Sequence, residues 1–329
     1  MFKILIIGYG SIGKRHLENF LLFKDTMLIV YTKRKDLDSL EKKGIKISDS
    51  LDECLNEKPD IGVISNETSL HIPIAIKLAK EGLDLFLEKP LSDSLEGISE
   101  LLSIVKKKKL ITQMGCNLRF HPCIKKIKDL VDSEKIGRVI SIQVQNCSYL
   151  PDYHPWEDYR KGYAARKDLG GGITLTQIHE IDYMYWFFQD VKSVLAVSEK
   201  LSDLEVTTED YVSSIIKFKN GIMGELHMDY FQRPDFRSCK IRGTKGEIYW
   251  ESTDNCVRIF MSEKKKWETV LEVKDYDRNF SYVEQLKHFL ECVKERKETK
   301  NNLEQGISTL EIVLAIKTAS IKNRMINVK

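Results

Sequence analysis

The chain begins Met-Phe-Lys-Ile-Leu-Ile-Ile-Gly-Tyr-Gly-Ser-Ile-Gly over residues 1–13, and this stretch decides the fold. The apolar run 4–7 predicts a buried strand, and residues 14–22 have the spacing of a helix. Gly8, Gly10 and Gly13 stand between them in the pattern Gly-x-Gly-x-x-Gly. In this strand–helix context the pattern predicts a turn that seats a dinucleotide pyrophosphate, in preference to an ordinary glycine turn.

Each residue of this turn has a separate predicted role. Gly8 permits the tight turn out of the strand, Gly10 lets the backbone approach the phosphates, and Gly13 lets the helix pack closely on the sheet. Ser11 and Ile12 stand at the start of the helix, where unpaired N–H groups and the positive end of the helix dipole attract an anion.

Composition limits the class of protein. With 329 residues the chain is long enough for two domains, and 42% hydrophobic and 31% charged residues are typical of a soluble globular protein. The net charge of +3, from 52 basic and 49 acidic residues, argues against nucleic acid or a membrane surface as a partner. No run approaches the ~20 apolar residues of a membrane span, and the chain start lacks the features of a signal peptide.

The seven cysteines are scattered, and none forms a Cys-x-x-Cys pair. An odd number without paired spacing predicts reduced thiols, with no disulfide framework and no metal site. The expected location is therefore the cytoplasm.

The pattern of elements changes along the chain. Strands are predicted at 3–7, 27–31, 44–47, 61–64, 83–88 and 111–115, and helices between them at 14–22, 35–43, 51–57, 70–81 and 95–108. This alternation indicates an α/β fold with an N-terminal Rossmann parallel sheet, assigned to residues 1–118.

Residues 119–329 predict a C-terminal α+β domain with a mostly antiparallel sheet. Strands are expected at 139–146, 191–199, 210–217, 222–228, 238–243, 247–250, 257–260 and 268–272, and helices at 122–133, 179–188, 282–296 and 306–322. Asn220-Gly221 is a strong hairpin signal between two of these strands. The last helix is expected to pack back on the first domain.

Polar residues follow the predicted strands of the first domain, where the carboxyl ends of parallel strands form the ligand crevice. They include Asn66, Lys89 and Asn117. Thr32, Lys33 and Arg34 follow the second strand, where NAD sites carry an acid for the ribose. A hydroxyl and cations favour the 2′-phosphate of NADP, and NAD remains open.

Glu88-Lys89-Pro90 closes the fifth predicted strand. A lysine amine at the nicotinamide end of the crevice can exchange a proton with a substrate hydroxyl or carbonyl. Lys89 is therefore the first candidate for a catalytic residue.

A second constellation runs from Gly170-Gly171-Gly172 to Asp182. Thr176, His179 and Asp182 are three residues apart and share a helix face. His179 is a plausible acid/base group, and the alternative of a core histidine hydrogen-bonded to Asp182 stays open. The preceding segment 149–166 is rich in aromatic residues and arginines, and it includes Tyr163 and Arg166.

Aromatic faces and arginines of this kind suit a sugar that carries an anionic group. Arg119 is expected to reach the same cleft. A packed Ω-loop with structural aromatics is the alternative.

These motifs together resemble the Gfo/Idh/MocA oxidoreductases, the glucose–fructose oxidoreductase and inositol dehydrogenase relatives. They are the glycine pattern, Thr68 and His71, Glu88-Lys89-Pro90, Asn117-Leu-Arg-Phe-His-Pro122, and the glycine run followed by His179-x-x-Asp182. The resemblance covers the whole chain and implies a cofactor site that includes Thr68, His71, Glu88, Lys89 and Asn117.

The resemblance also implies hydride transfer between NAD(P) and a carbon of a sugar, cyclitol or sugar-nucleotide. Lys89 would relay the proton or bind the reacting oxygen, and His179 would act as acid/base, with Thr176 beside the substrate. The second domain would be built on a large open sheet, through which such proteins form homodimers or homotetramers.

One position departs from the family pattern. Many members place an aspartate four residues before the histidine, whereas this chain has Leu175, followed by Thr176 and Gln177. This leaves Lys89 as the first candidate for the proton and His179 as the second. Two other functions stay open: a cofactor-retaining glycosidase that acts by transient oxidation, and a binding protein without catalysis.

Overall fold

The computed structural model describes residues 1–35, 37, 40 and 43–328. Most of the helix predicted at 35–43, including Asp36, lies outside the described residues. Contacts divide the chain into two compact units, one of Met1–Cys116 with Tyr282–Ile307 and one of Asn117–Ser281 with Ser308–Lys329. The sequence prediction has a single boundary at residue 118, whereas this division assigns residues 282–307 to the first unit.

The first unit contains a six-stranded parallel sheet. Its strands are β1 (Phe2–Ile7), β2 (Thr26–Tyr31), β3 (Lys46–Ser48), β4 (Ile61–Ile64), β5 (Asp84–Leu87) and β6 (Thr112–Met114). The order β3-β2-β1-β4-β5-β6 is the doubly wound order that carries dinucleotide sites. The predicted Rossmann sheet is thus confirmed, with Ile7 in register with Tyr31 on one side and Ile64 on the other.

Helices connect these strands. They are α1 (Ser11–Phe20), α2 (Leu51–Asn56), α3 (His71–Glu81) and α4 (Ile98–Lys108). Residues 4–7 of β1 are completely buried because helices cover both faces of a parallel sheet. The long helix Arg278–Glu295 comes later in the chain, after three helices of the second unit, and is numbered α8. Its Phe289 packs against Phe86 with ring centroids 5.7 Å apart, which explains why residues 282–307 belong to this unit.

The second unit contains a nine-stranded sheet. Its strands are β7 (Val139–Cys147), β8 (Val191–Glu199), β9 (Tyr211–Phe218), β10 (Met223–Asp229), β11 (Phe236–Gly243), β12 (Gly246–Glu251), β13 (Cys256–Met261), β14 (Lys266–Glu272) and β15 (Ile326–Asn327). The order is β14-β13-β12-β11-β7-β10-β9-β8-β15. Only β7 and β10 pair in parallel among these described strands, so the predicted mostly antiparallel sheet is confirmed.

The helices of this unit are α5 (Pro122–Asp132), α6 (Ile173–Thr176) and α7 (His179–Phe188), and α9 (Leu303–Lys322) follows α8 near the end of the chain. Side chains alternate between buried and exposed along β9 and β10, because helices cover one face of the sheet. Asn220 and Gly221 form the turn between these strands, and Gly221 has φ +90°. No helix of the described chain is both long and apolar enough to cross a membrane.

Candidate active site

The glycine turn of the first unit has the geometry of an anion site. Gly8 has φ +90°, and a Cβ on it would lie 2.9 Å from the backbone of Asn66. A Cβ on Gly13 would overlap the carbonyl oxygen of Gly8, so this helix turn packs on the strand only with glycine. A Cβ on Gly10 would meet no atom within 4 Å, and no side chain caps the helix that begins at Ser11. The backbone at Gly10 therefore borders open space, and no side chain caps the start of the helix, which leaves room for an anion such as a pyrophosphate.

A depression of about 300 Å³ lies at the end of β2. Its lining contains the predicted Thr32, Lys33 and Arg34 together with Asp49 and Glu53. Thr32 is buried, and its Oγ1 accepts a hydrogen bond from the Arg34 N–H at 3.2 Å. Sequence reasoning missed Asp49 and Glu53, because only the pairing of strands brings them here. Ser48 pairs with Tyr31, so the residues that follow β3 lie at the end of β2.

His71 connects two segments at the carboxyl edge of the same sheet. Its Nδ1 lies 2.9 Å from the Pro90 carbonyl oxygen, and its Nε2 lies 3.0 Å from the Asn66 carbonyl oxygen. Burial lowers the pKa of the imidazole, while the two carbonyl groups oppose this effect. His71 thus ties the segment after β4 to the segment after β5, and Thr68 is buried in the short 3-10 helix before it.

Glu88 contacts both His16 and the backbone of Lys89. The Glu88 carboxylate is buried, its Oε1 is 2.7 Å from His16 Nε2, and its Oε2 accepts the Lys89 backbone N–H at 3.0 Å. A Cβ on Gly115 would lie 2.7 Å from this carboxylate, so the residue that follows β6 also approaches it closely. Sequence reasoning singled out Glu88 and Lys89 but missed His16, which lies three residues after Gly13 on α1.

In the second unit the glycine run serves packing within the chain. A Cβ on Gly171 would overlap the carbonyl oxygen of Tyr163, and Gly172 adopts φ +111°. The N–H groups of Gly171 and Gly172 donate to the carbonyl oxygens of Arg166 and Ala164. These glycines therefore allow close packing on the preceding loop, which forms four 3-10 turns.

Leu175, which stands where many family members have an aspartate, is only 1% exposed and belongs to the core. Its hydrocarbon side chain has no group that could replace the aspartate in acid/base chemistry. Thr176 is buried at the end of α6, and His179 is buried in the first turn of α7.

A polar network surrounds the residue that follows Thr176. Asn146 Nδ2 donates to Gln177 Oε1 at 2.6 Å and to Glu180 Oε2 at 3.1 Å. Arg237 Nε lies 2.8 Å from Glu180 Oε1, and Gln177 Nε2 donates to the Tyr153 hydroxyl. Burial raises the pKa of Tyr153 to about 12. Gln177 thus takes part in a buried network just before His179, which the sequence could not reveal because its partners lie on β7, β11 and a distant loop.

Arg119 and Asp182 form a buried ion pair. Arg119 Nε and Nη2 each donate to one oxygen of the Asp182 carboxylate at 2.8 Å, and both side chains are at most 1% exposed. Sequence reasoning instead offered Arg119 to the substrate and Asp182 to His179. The pair gives both residues a structural role that holds the segment before α5 to α7.

The remaining substrate candidates lie near the surface. Arg166 pairs with Asp168, and its side chain is 43% exposed. Tyr163 begins a 3-10 turn and is partly buried.

Asn117, a predicted cofactor residue, is buried in the 3-10 helix Asn117–Phe120. Asn117 belongs to the second unit, whereas the other predicted cofactor residues belong to the first.

Comparison with known families agrees with this arrangement. The profile of the "Oxidoreductase family, NAD-binding Rossmann fold" matches residues 2–116, and that of the "GFO/IDH/MocA C-terminal domain" matches residues 124–249. The chain belongs to the Gfo/Idh/MocA family. It is an oxidoreductase with an NAD-binding Rossmann unit, and the resemblance drawn from its motifs is confirmed.

Individual relatives cover between 69% and 99% of the chain. A myo-inositol 2-dehydrogenase from Thermotoga maritima is 26% identical over 341 residues, which cover 99% of this chain and 98% of the relative. A levoglucosan dehydrogenase from Pseudarthrobacter phenanthrenivorans is 26% identical over 69% of this chain and 65% of its own length. Among solved structures, a levoglucosan dehydrogenase complex with NADH superposes with a TM-score of 0.88 at 18% identity, over 100% and 99% of the two chains. This last likeness shows the shared fold.

Proposed function

We propose that this Gfo/Idh/MocA protein transfers a hydride between nicotinamide and a carbinol or carbonyl carbon of a sugar, cyclitol or sugar-nucleotide. The observation that carries the proposal is the placement of Lys89. It follows β5 at the carboxyl edge of the sheet whose first turn is the glycine turn, and the buried Glu88 carboxylate holds its backbone N–H. The names of the inositol and levoglucosan dehydrogenases support the substrate class.

The glycine turn fits the cofactor. The space beside Gly10 and the uncapped start of α1 would receive the pyrophosphate, and the depression beside Thr32 would receive the adenosine ribose. When bound, the nicotinamide supplies the hydride acceptor or donor.

Lys89 then handles the proton. During oxidation the carbinol carbon loses its hydride while the Lys89 amine takes the hydroxyl proton, and reduction reverses both transfers. We assign His179 as the second acid/base group, since it opens α7 beside the Gln177 network. Tyr163, Arg166 and Thr176 are our candidates for contacts with the substrate.

The cofactor preference we propose is NADP over NAD. Lys33 and Arg34 line the depression at the end of β2, and a guanidinium can bind a phosphate through two hydrogen bonds. Asp49 and Glu53 line the same depression and would favour a ribose hydroxyl instead. An Arg34→Ala variant should weaken NADPH binding while it leaves NADH binding nearly unchanged. Equal losses for both cofactors would contradict the preference.

We further propose that the protein is a cytoplasmic homodimer or homotetramer that associates through the second sheet. Leu195 and Ile215 are cross-strand neighbours on its exposed face, where they are 42% and 41% exposed. None of the seven cysteines, all buried, forms a disulfide, which suits a reducing compartment. Light scattering after size-exclusion chromatography should show an oligomer, and Ile215→Lys should shift it toward the monomer.

The direct test of the reaction is a Lys89→Ala variant assayed with a panel of cyclitols, sugars and nucleotide sugars. Cofactor binding, followed by nicotinamide fluorescence, should persist while turnover falls by a factor on the order of 100 or more. Lys80→Ala, which removes an exposed lysine on α3, is the matched control and should keep full activity. Full activity of Lys89→Ala would overturn the role of Lys89. Release of an aglycone without net cofactor reduction would indicate the glycosidase reaction instead.

A further inference from the structure

Three side chains with metal-binding atoms meet on the exposed face of the second sheet. They are Cys147 at the end of β7, and His227 and Asp229 at the end of β10. Asp229 lies in register with Cys147 on the parallel neighbour, and His227 lies two residues earlier on the same face. The donor atoms of the three side chains all lie within 4.8 Å of one another.

We propose that Cys147, His227 and Asp229 bind a divalent transition-metal ion of the zinc class. A thiolate, an imidazole and a carboxylate form a donor set that suits Zn²⁺ or Co²⁺, whereas Mg²⁺ and Ca²⁺ prefer oxygen ligands alone. Bonds of about 2.0–2.3 Å in a tetrahedral site place the donor atoms roughly 3.3–3.8 Å apart. His227 Nε2 and Asp229 Oδ2 are already 3.2 Å apart, so the site closes with small side-chain movements.

The surroundings orient two of the three ligands. Asp229 Oδ1 accepts the backbone N–H groups of Phe231 and Gln232 at 3.0 and 2.8 Å, which leaves Oδ2 directed toward His227. The His227 ring packs edge-on against Tyr211, with centroids 5.2 Å apart. Outer contacts of this kind fix ligands in metal sites.

The site also has an entry path and a place for a fourth ligand. The His227 side chain is 30% exposed, while Asp229 is 4% exposed and Cys147 is buried. In the single chain a metal can therefore arrive from the solvent side, before this face associates in the proposed oligomer, and a water molecule can complete the tetrahedron. Coordination by the thiolate displaces the Cys147 proton to the solvent.

Hydrogen bonds alone offer a competing explanation. The Asp229 carboxylate accepts from the His227 imidazole and lies against the Cys147 thiol, which would satisfy all three groups without a metal. The two explanations differ in one measurable property, since only a metal site gives stoichiometric binding that depends on the thiol.

The test uses the full-length protein after chelator treatment and dialysis. Zn²⁺ is titrated in competition with a chromogenic chelator, and Co²⁺ binding is followed by its absorption spectrum. We expect one equivalent per chain, a thiolate-to-cobalt charge-transfer band and a higher melting temperature with Zn²⁺. Cys147→Ser should weaken binding by a factor on the order of 100 and abolish the charge-transfer band.

Two further variants make the result decisive. Cys239→Ser is the matched control, because Cys239 is a buried cysteine on β11 that pairs with Val144 of β7. It should bind Zn²⁺ like the unaltered protein. His227→Gln changes a partly exposed residue and should weaken binding even if Cys147→Ser folds poorly. Absence of stoichiometric binding, or binding that survives both Cys147→Ser and His227→Gln, would overturn the proposal.

Discussion

His16 Nε2 and Glu88 Oε1 lie 2.7 Å apart, and neither side chain is more than 5% exposed. His16 belongs to the helix that begins at the glycine turn, whereas the other Glu88 oxygen accepts the backbone N–H of Lys89. The pair therefore connects the cofactor helix with the backbone of the proposed catalytic lysine. Phe86 and Tyr282 flank the imidazole, which keeps water away from the pair.

Removal of His16 should lower the stability of the protein. His16→Phe leaves the buried Glu88 carboxyl group without this hydrogen-bond partner, and an unsatisfied buried polar group costs about 1–3 kcal/mol. The double variant His16→Phe/Glu88→Gln should recover part of that loss, because an amide costs less than a carboxylate to bury without this partner. Urea denaturation of both single variants and the double variant gives the coupling free energy. Additive losses would mean that the two side chains do not interact.

Substitution at Gly10 and Gly13 should separate cofactor binding from folding. Gly10→Ala places its Cβ in open space and should keep the melting temperature, yet weaken NAD binding because the methyl group would occupy the position proposed for the phosphates. Gly13→Ala collides with the Gly8 carbonyl and should lower the melting temperature. Thermal denaturation and nicotinamide fluorescence measure the two effects. A Gly10→Ala variant with unaltered affinity would argue against a pyrophosphate beside Gly10.

Arg119 should prove essential for the stability of the second unit. Arg119→Met removes the arginine partner of the buried Asp182 carboxylate, and breaking a buried ion pair on one side costs about 3–5 kcal/mol. In Arg119→Met/Asp182→Leu both charges are gone, and an apolar pair of similar volume should restore most of the stability. The measurement is urea denaturation of each variant. A stable but inactive Arg119→Met single variant would support a direct substrate role instead.

The sequence predicted most of the first unit because its signals are local. The glycine spacing, the apolar run before it and the strand-end residues all lie within short segments, and β4 was predicted with its observed bounds. The strands of the second sheet were predicted from the alternation of apolar and polar residues and from the Asn220-Gly221 turn. By contrast, the assignment of residues 282–307 to the first unit depends on packing of Phe289 against Phe86, which no local pattern reveals.

The site residues divide in the same way. The motifs make Lys89 and His179 candidates, and both stay predictions. The contacts of His16, Gln177, Asp49 and Asp182, in contrast, emerge only from the pairing of distant segments. Arg119 illustrates the limit of reasoning by residue type. An arginine near a cleft suggests an anionic substrate, but burial against Asp182 gives it a structural partner.

His121 should make the stability of the second unit depend on pH. The imidazole caps α5, where its Nδ1 accepts the Cys123 N–H at 3.2 Å, and it packs against the rings of Trp250 and Tyr276. Burial, aided by the positive charge of Arg237, lowers the pKa of His121 to about 4. The unfolded chain has an ordinary histidine with a pKa of about 6.5.

Because the folded pKa is depressed, the contribution of neutral His121 is complete above about pH 6.5 and is lost as the pH falls toward 4. In that window the unfolded state binds a proton that the folded state does not, which lowers the free energy of unfolding by up to about 3 kcal/mol. His121→Asn keeps a capping side chain but does not titrate. Urea denaturation at pH 7.5 and pH 4.5 measures how much unfolding free energy each protein loses on acidification. The variant should lose about 2 kcal/mol less than the unaltered protein. Equal losses in the two proteins would mean that other groups, such as His71 or His288, carry the acid sensitivity.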